Sequence, residues 1–318
     1  MITYILRRLI QSVFVIVMVT IFVFLIMRIL PGDPIYMLYS PDSVQLLTDE
    51  DIARIKHEAG LDRPLVVQYF DWMKGVIHGD LGVSILYKSS VSKDIAKRLP
   101  VTLYLGSVSF VLSLIIAIPI GVIAAVRRAP WLDTILTSLA NLGVTIPIFW
   151  LGIMLVYLFA IKLCWLPVMG YTSPFEDFSL SMKQLVMPVI CMSIWPLAGN
   201  VRLVRSTMLE VLGQDYIRTA WAKGLKEPTI VLKHALKNGI IPVITMAGLW
   251  VSTIIGGAVL IEQVFNIPGM GRLAVDAIFT HDYAYVQGIA LIITISVVVT
   301  NLLVDISYGW LDPRIRYI

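Results

Sequence analysis

Long apolar stretches, almost free of charge, alternate along this chain with shorter polar ones. Six of them reach or approach the ~20 mostly apolar residues that a membrane-crossing helix needs: residues 9–30, 101–126, 135–163, 185–200, 240–261 and 286–308. The fourth is the weakest, being short and broken by Pro188 and Pro196, and on hydropathy alone it reads either as a span or as a re-entrant segment. The pattern predicts an all-α, polytopic membrane protein with six transmembrane helices. Pro119, Gly121, Pro147, Pro188, Pro196 and the pair Gly256-Gly257 fall inside the apolar stretches. Neighbouring helices satisfy the backbone groups that such residues free, and small residues let helices approach closely. Each reads first as ordinary bundle packing. Together they favour a bundle that rocks, as a transporter must, over a static anchor.

Composition removes the soluble alternative. The chain is 58% hydrophobic and 14% charged, against about 45–50% and about 25% in soluble domains. The net charge of +4 matters through its placement. Arg7 and Arg8 precede the first span, Arg127 and Arg128 lie in the second loop, and Arg314 and Arg316 in the tail. The fourth loop carries Arg202, Arg205, Arg218, Lys223, Lys226, Lys233 and Lys237, while the opposite short loops hold only Lys183 and Arg272. The long, mixed-sign stretch 31–100 is exempt from the positive-inside rule. That rule therefore puts both termini in the cytoplasm. The first apolar run ends at Arg28 without a small-residue cleavage site, so it is expected to remain as a span.

Little in the chain suits catalysis. Cys164 and Cys191 read as two buried free thiols, with a disulfide between them as the alternative; no Cys/His spacing suits zinc, and no basic run interleaved with aromatics suits nucleic acid. No catalytic or metal-binding residue is assigned. Arg28 and Lys162 lie near span ends, where long side chains snorkel. Glu262 and Asp305, also near span ends, read equally as functional groups or as hydrogen-bonded structural ones. An intramembrane enzyme would need a paired catalytic set within the spans. A stand-alone channel or secondary carrier would leave the basic fourth loop without a role. The chain lacks the Gly-x-x-x-x-Gly-Lys-Ser/Thr phosphate loop, so ATP chemistry would have to come from another subunit.

The fourth loop, residues 201–239, is the most informative segment. Asp215 suits the N-cap of a helix over 216–223, Gly224 suits the position just past its end, and Pro228 suits the first turn of a second helix. Ile217, Ala220, Trp221 and Leu225 are expected to present one apolar face to a partner groove. A solvated basic loop is the plainer alternative.

The stretch Asp215-Tyr216-Ile217-Arg218-Thr219-Ala220-Trp221-Ala222-Lys223-Gly224-Leu225, with Met208, Leu209 and Glu210 before it, resembles the EAA-type loop of ABC importer permeases. The resembling branch carries dipeptides, oligopeptides, nickel and glutathione. Similarity continues through Lys233-His234-Ala235-Leu236-Lys237-Asn238-Gly239 to Pro242-Val243. It also covers Leu30-Pro31-Gly32-Asp33-Pro34, the outer-loop signature His78-Gly79-Asp80-Leu81-Gly82-Val83-Ser84, the run from Glu262 to Gly271, and the ending Asp312-Pro313-Arg314-Ile315-Arg316. Trp221 stands where many relatives have Arg, and Thr207 precedes Met208 where Ser is common.

The resemblance implies a type I ABC importer transmembrane domain in the cytoplasmic (inner) membrane of a prokaryote. It implies a first transmembrane helix at 1–30, an extracytoplasmic loop region at 31–99, a core at 100–309 holding coupling loop 201–239, and a tail at 310–318. Asp215, Tyr216, Ile217, Arg218, Ala220, Trp221, Lys223, Gly224 and Leu225 are the implied ATPase-coupling residues. The implied partners are a second related permease, two ATPase subunits holding ATP and magnesium, an extracytoplasmic binding protein and membrane lipid. This chain itself is expected to bind no cofactor and to catalyse nothing. Di- or oligopeptides are the favoured cargo on the breadth of the branch, with nickel, glutathione or another small solute as the alternative.

Overall fold

The computed structural model describes residues 2–29, 48–58, 60, 62–84, 86–127, 143 and 145–311. Among them the secondary structure is helical, apart from one isolated antiparallel bridge between Val83 and Ser90. In chain order the helices are α1 (Ile2–Ile29), α2 (Asp49–Glu58), α3 (Leu65–Ile77), α4 (Val91–Arg127), α5 (Ile148–Leu155), α6 (Phe178–Leu212), α7 (Asp215–Ala222), α8 (Glu227–Thr229), α9 (Leu236–Gly239), α10 (Ile241–Val264), α11 (Met270–Phe279) and α12 (Tyr283–Leu311). π-helical turns Val156–Lys162 and Ile230–Ala235 extend α5 and join α8 to α9.

Four stretches among the described residues are long and apolar enough to cross a membrane: Leu6–Ile29, Val91–Arg127, Phe178–Leu212 and Tyr283–Leu303. The expected fifth span falls on the 24-residue helix α10. The expected third span is described only from its middle onward, where Pro147 stands at the N-cap of α5 rather than inside a helix. Arg128, the 30–34 motif, most of 128–144 and residues 312–318 lie outside the described residues, as do the side chain of Asp305 and the surroundings of Gly256 and Gly257.

The fourth span departs most from expectation. α6 is one continuous 35-residue helix running through both Pro188 and Pro196, ~52 Å long at 1.5 Å per residue. That exceeds a hydrocarbon core of about 30 Å. A re-entrant segment would have to turn back within this run, and none of it does. Asp177 starts the helix, its Oδ1 accepting the Leu180 N–H at 2.9 Å. Inside, the Ser193 hydroxyl reaches the carbonyls of Val189 and, on α4, Ser109. Its C-terminal third occupies what hydropathy reads as loop, because Arg202 and Arg205 end the apolar run without ending the helix.

The chain divides into two compact units, Met1–Val101 with Pro268–Ile318, and Thr102–Ile267. In the first, α1 packs along α12, and α11 also packs on α12. Leu81, Val91, Ile95, Met270, Leu273, Tyr285 and Ile289 form its buried core. α3 leans on α1: the Thr20 and Tyr69 hydroxyls are 3.0 Å apart, and Phe24 meets the Tyr69 ring edge-on at 5.5 Å. Arg28 does not simply reach outward. Its guanidinium lies over the Phe24 and Tyr283 rings and donates from Nε to Gln68 at 3.0 Å.

In the second unit α6 is the central element, packed by α4, α5, α9 and α10. Gly121 of α4 sits so close to α6 that a Cβ there would fall 2.6 Å from the Cβ of Val204. Glu262 is fully buried and accepts a 2.6 Å hydrogen bond from the Thr102 hydroxyl, which gives this carboxyl a structural role between α4 and α10. Thr102→Val removes that donor beside a buried acceptor, which costs about 1–3 kcal/mol. A thermal unfolding midpoint of the purified protein that did not fall would contradict this role. Both cysteines are free, but only Cys191 is buried, in α6; Cys164, just past the end of its apolar segment, is exposed, which corrects the expectation of two buried thiols.

Candidate coupling site

The candidate site is built on the turn that follows α6. Gly213 closes that helix, and Gln214, in extended conformation, is the N-cap of α7. Asp215 is thus the first residue of α7 rather than its cap, and no side chain caps the helix. The carboxylate instead complements the positive end of the helix dipole and lies 3.5 Å from Arg218, one turn on. Both groups are exposed, so the pair adds little stability.

The far end of α7 follows the expectation for Gly224. Gly224 has φ +71°; its N–H bonds the Trp221 carbonyl at 2.9 Å, and the Leu225 N–H bonds that of Ala220 at 3.4 Å. This pair of bonds is a Schellman motif, which needs a left-handed residue just after the helix. Lys226 then adopts extended backbone, and Pro228 sits in the first turn of α8, where its missing N–H costs nothing. The helical path continues through the π-turn and α9 into α10.

The apolar face of α7 is divided. Ile217 and Ala220 are only 1% and 7% exposed and pack inside the chain, in a core with Met208, Ile230, Val231 and Ala235. Trp221 and Leu225, at 49% and 36%, remain on the surface with Tyr216, Arg218 and Lys223. The expected single docking stripe is therefore corrected. Trp221 is displaced around the helix from the line through Ile217 and Ala220, and Leu225 lies beyond the helix end. One side of α7 plugs into its own bundle while the other offers an aromatic and basic surface.

One hydrogen bond ties α7 to α9, and a second ties α6 to α9. Asn238 donates from Nδ2 to the Tyr216 hydroxyl at 2.9 Å, and the Thr207 hydroxyl donates to the Gly239 carbonyl at 2.8 Å. Gly239 lies against Met208, where a Cβ would meet the sulfur at 2.8 Å. Sequence reasoning noted Thr207 only as a departure from pattern and passed over Asn238 as a contact of α7. Their residue types are visible in the chain, but their partners lie 32 and 22 positions away.

Residues 117–317 match the family of binding-protein-dependent transport system inner membrane components, and residues 1–106 match that family's N-terminal membrane domain. The chain belongs to this family. Among its relatives, a putative peptide transport system permease protein of Brucella abortus is 43% identical over 314 residues, spanning 98% of each chain. A probable peptide ABC transporter permease protein of Sinorhizobium fredii is 40% identical over 99% of each chain. The oligopeptide transport system permease protein AppB of Bacillus subtilis is 40% identical over the full length of both. This binding-protein-dependent permease therefore has the all-helical architecture of a type I ABC importer membrane domain. Its α7 is a short helix whose inner side is buried in a core shared with α6 and the π-turn Ile230–Ala235, and whose first turn is bonded through Tyr216 to Asn238 of α9.

Proposed function

We propose that this chain is one permease subunit of an ATP-driven importer of di- or oligopeptides. The observation that carries the reading is end-to-end similarity, at 40–43% identity, to permeases named for peptide or oligopeptide transport. In this reading six spans cross the inner membrane with both termini in the cytoplasm, residues 31–99 lie outside, and loop 201–239 lies inside. A second related permease, two ATPases carrying ATP and magnesium, and an extracytoplasmic binding protein complete the machine. α7 is the coupling helix. Tyr216, Arg218, Trp221, Lys223 and Leu225 meet the ATPase, Ile217 and Ala220 anchor the helix to its own bundle, and Asp215 and Gly224 bound it. Closure of the ATPases then reaches the spans as a rigid-body movement of α6 and α10.

Reconstitution of the full complex with its binding protein in proteoliposomes tests the cargo. ATP-dependent accumulation of labelled di- or oligopeptides is expected. Accumulation of nickel or glutathione in place of peptides would replace this cargo with the alternative.

Charge tests the docking surface. Arg218 and Lys223 are exposed on the free side of α7, so reversing both to Glu should weaken ATPase association about tenfold, mainly through a slower encounter that loses its salt dependence. Co-purification and salt titration measure this. Unchanged association across ionic strength would remove these residues from the interface.

A further inference from the structure

On the orientation proposed above, the first unit carries a cavity on its extracytoplasmic side. It is a half-open cavity of about 290 Å³, lined by Tyr87, Ser89, Asp94, Arg98, Asp276 and Tyr285 over an apolar floor of Leu273 and Ala277. The side chains come from the loop after α3 and from α4, α11 and α12. Part of the lining is locked: Tyr285 donates to the Asp94 carboxylate, and its hydroxyl is 2.8 Å from that of Ser89. Nearby, the buried Asp282 accepts from Ser84, which ties the loop to the start of α12.

The charge pattern restricts the occupant. Asp94 and Arg98 stand four residues apart on one face of α4, so a carboxylate and a guanidinium project to the same side. Asp276 adds a second carboxylate, exposed and 3.9 Å from Arg272. A simple cation would meet Arg98, and a simple anion would meet two aspartates. A group bearing both charges satisfies both. At about 290 Å³ the cavity lies at the lower limit of the roughly 300–1,000 Å³ of drug-sized ligand sites, which leaves room for a compact headgroup.

The surroundings point to lipid. Arg98 lies just before the apolar run that begins at Val101, at the level where a span enters the headgroup region. Ile278 and Phe279, directly after the lining residues of α11, are 58% and 80% exposed, and Phe279 shares the Asp276 side of that helix. Tyr87 is itself 58% exposed. A charged pocket rimmed by exposed apolar side chains matches a molecule with a polar head and apolar tails.

We propose that this cavity binds the headgroup of an outer-leaflet phospholipid bearing a phosphate and a primary ammonium. Arg98 receives the phosphate, and Asp94 and Asp276 receive the ammonium between the rings of Tyr87 and Tyr285. Ile278 and Phe279 meet the upper acyl chains. Such a lipid braces the loop after α3 against α4, α11 and α12.

The test is native mass spectrometry of the complete, delipidated importer complex, titrated with phosphatidylethanolamine, phosphatidylglycerol or phosphatidylcholine. Phosphatidylethanolamine should bind about tenfold more tightly than phosphatidylglycerol, which keeps the phosphate and lacks the ammonium. It should also exceed phosphatidylcholine, whose ammonium has no hydrogen to donate. Asp276→Asn and Arg98→Gln, both outside the buried core, should each reduce that binding about tenfold. Equal affinity for the three lipids, unaffected by either variant, would overturn the proposal. Variants that leave lipid binding intact and instead weaken capture of the extracytoplasmic binding protein would also overturn it, by making the cavity a protein-docking site.

Discussion

Replacing Gly224 by valine should abolish peptide uptake while leaving most of the complex assembled. Gly224 holds φ +71°, where an L-residue costs about 1–2 kcal/mol and a β-branched one more. Space is not the obstacle, because a Cβ there would meet nothing within 4 Å. The strain must therefore be relieved by the backbone, through loss of the bonds from Gly224 to Trp221 and from Leu225 to Ala220. Those bonds set the angle at which α7 leaves for α8. A tilted α7 keeps Ile217 near its core yet presents Trp221 and Lys223 to the ATPase wrongly. ATP hydrolysis should then continue, or fall less than uptake does. Asparagine tolerates the left-handed region and should retain most transport. Proteoliposome uptake, ATPase rate and subunit stoichiometry, measured on the same preparations, decide the matter. Normal uptake in a normally assembled Gly224→Val complex would defeat the coupling role of this turn.

Replacing Gly121 by leucine is expected to have the largest effect on stability. A Cβ at this position would lie 2.6 Å from the Val204 Cβ and 3.0 Å from the Val201 carbonyl oxygen. Neither atom belongs to the free end of a flexible side chain, so α4 and α6 must separate. Overpacking of this kind typically costs about 1–3 kcal/mol, and a leucine wedged against backbone falls at the upper end or beyond. The same separation would disturb the core of Ala125, Met208 and Ile217 that anchors α7, so transport should fail together with stability. Ile123→Leu, on the exposed side of the same helix, should be neutral. Fluorescence-detected size exclusion after a temperature ramp reads both variants. An unchanged unfolding midpoint for Gly121→Leu would show that the helices are less closely packed than their geometry indicates.

The candidate site was legible to different depths. Gly224 declared itself because a glycine after a helix is a local signal, and its positive φ is set within a few residues. Pro228 was legible for the same reason, since a proline in a first turn needs no distant partner. Asp215 was read one position away from its place: sequence alone does not distinguish a cap from a first-turn acid. The apolar face of α7 was misread as a single stripe. Ile217 and Trp221 are both apolar, and only a neighbouring surface decides which of them is covered.

The sequence by itself determined what interactions along the chain can determine. Apolar run length set the membrane class, the asymmetry of arginine and lysine set the expected orientation, and the motif from Asp215 to Leu225 pointed to the family. Tertiary structure alone decided how far α6 extends, because helical hydrogen bonding continues past Arg202 where hydropathy stops. It alone joined Thr207 to Gly239, Asn238 to Tyr216 and Glu262 to Thr102. Those pairs link residues far apart in the chain, and a hydrogen bond between them depends on helix packing that no local periodicity records.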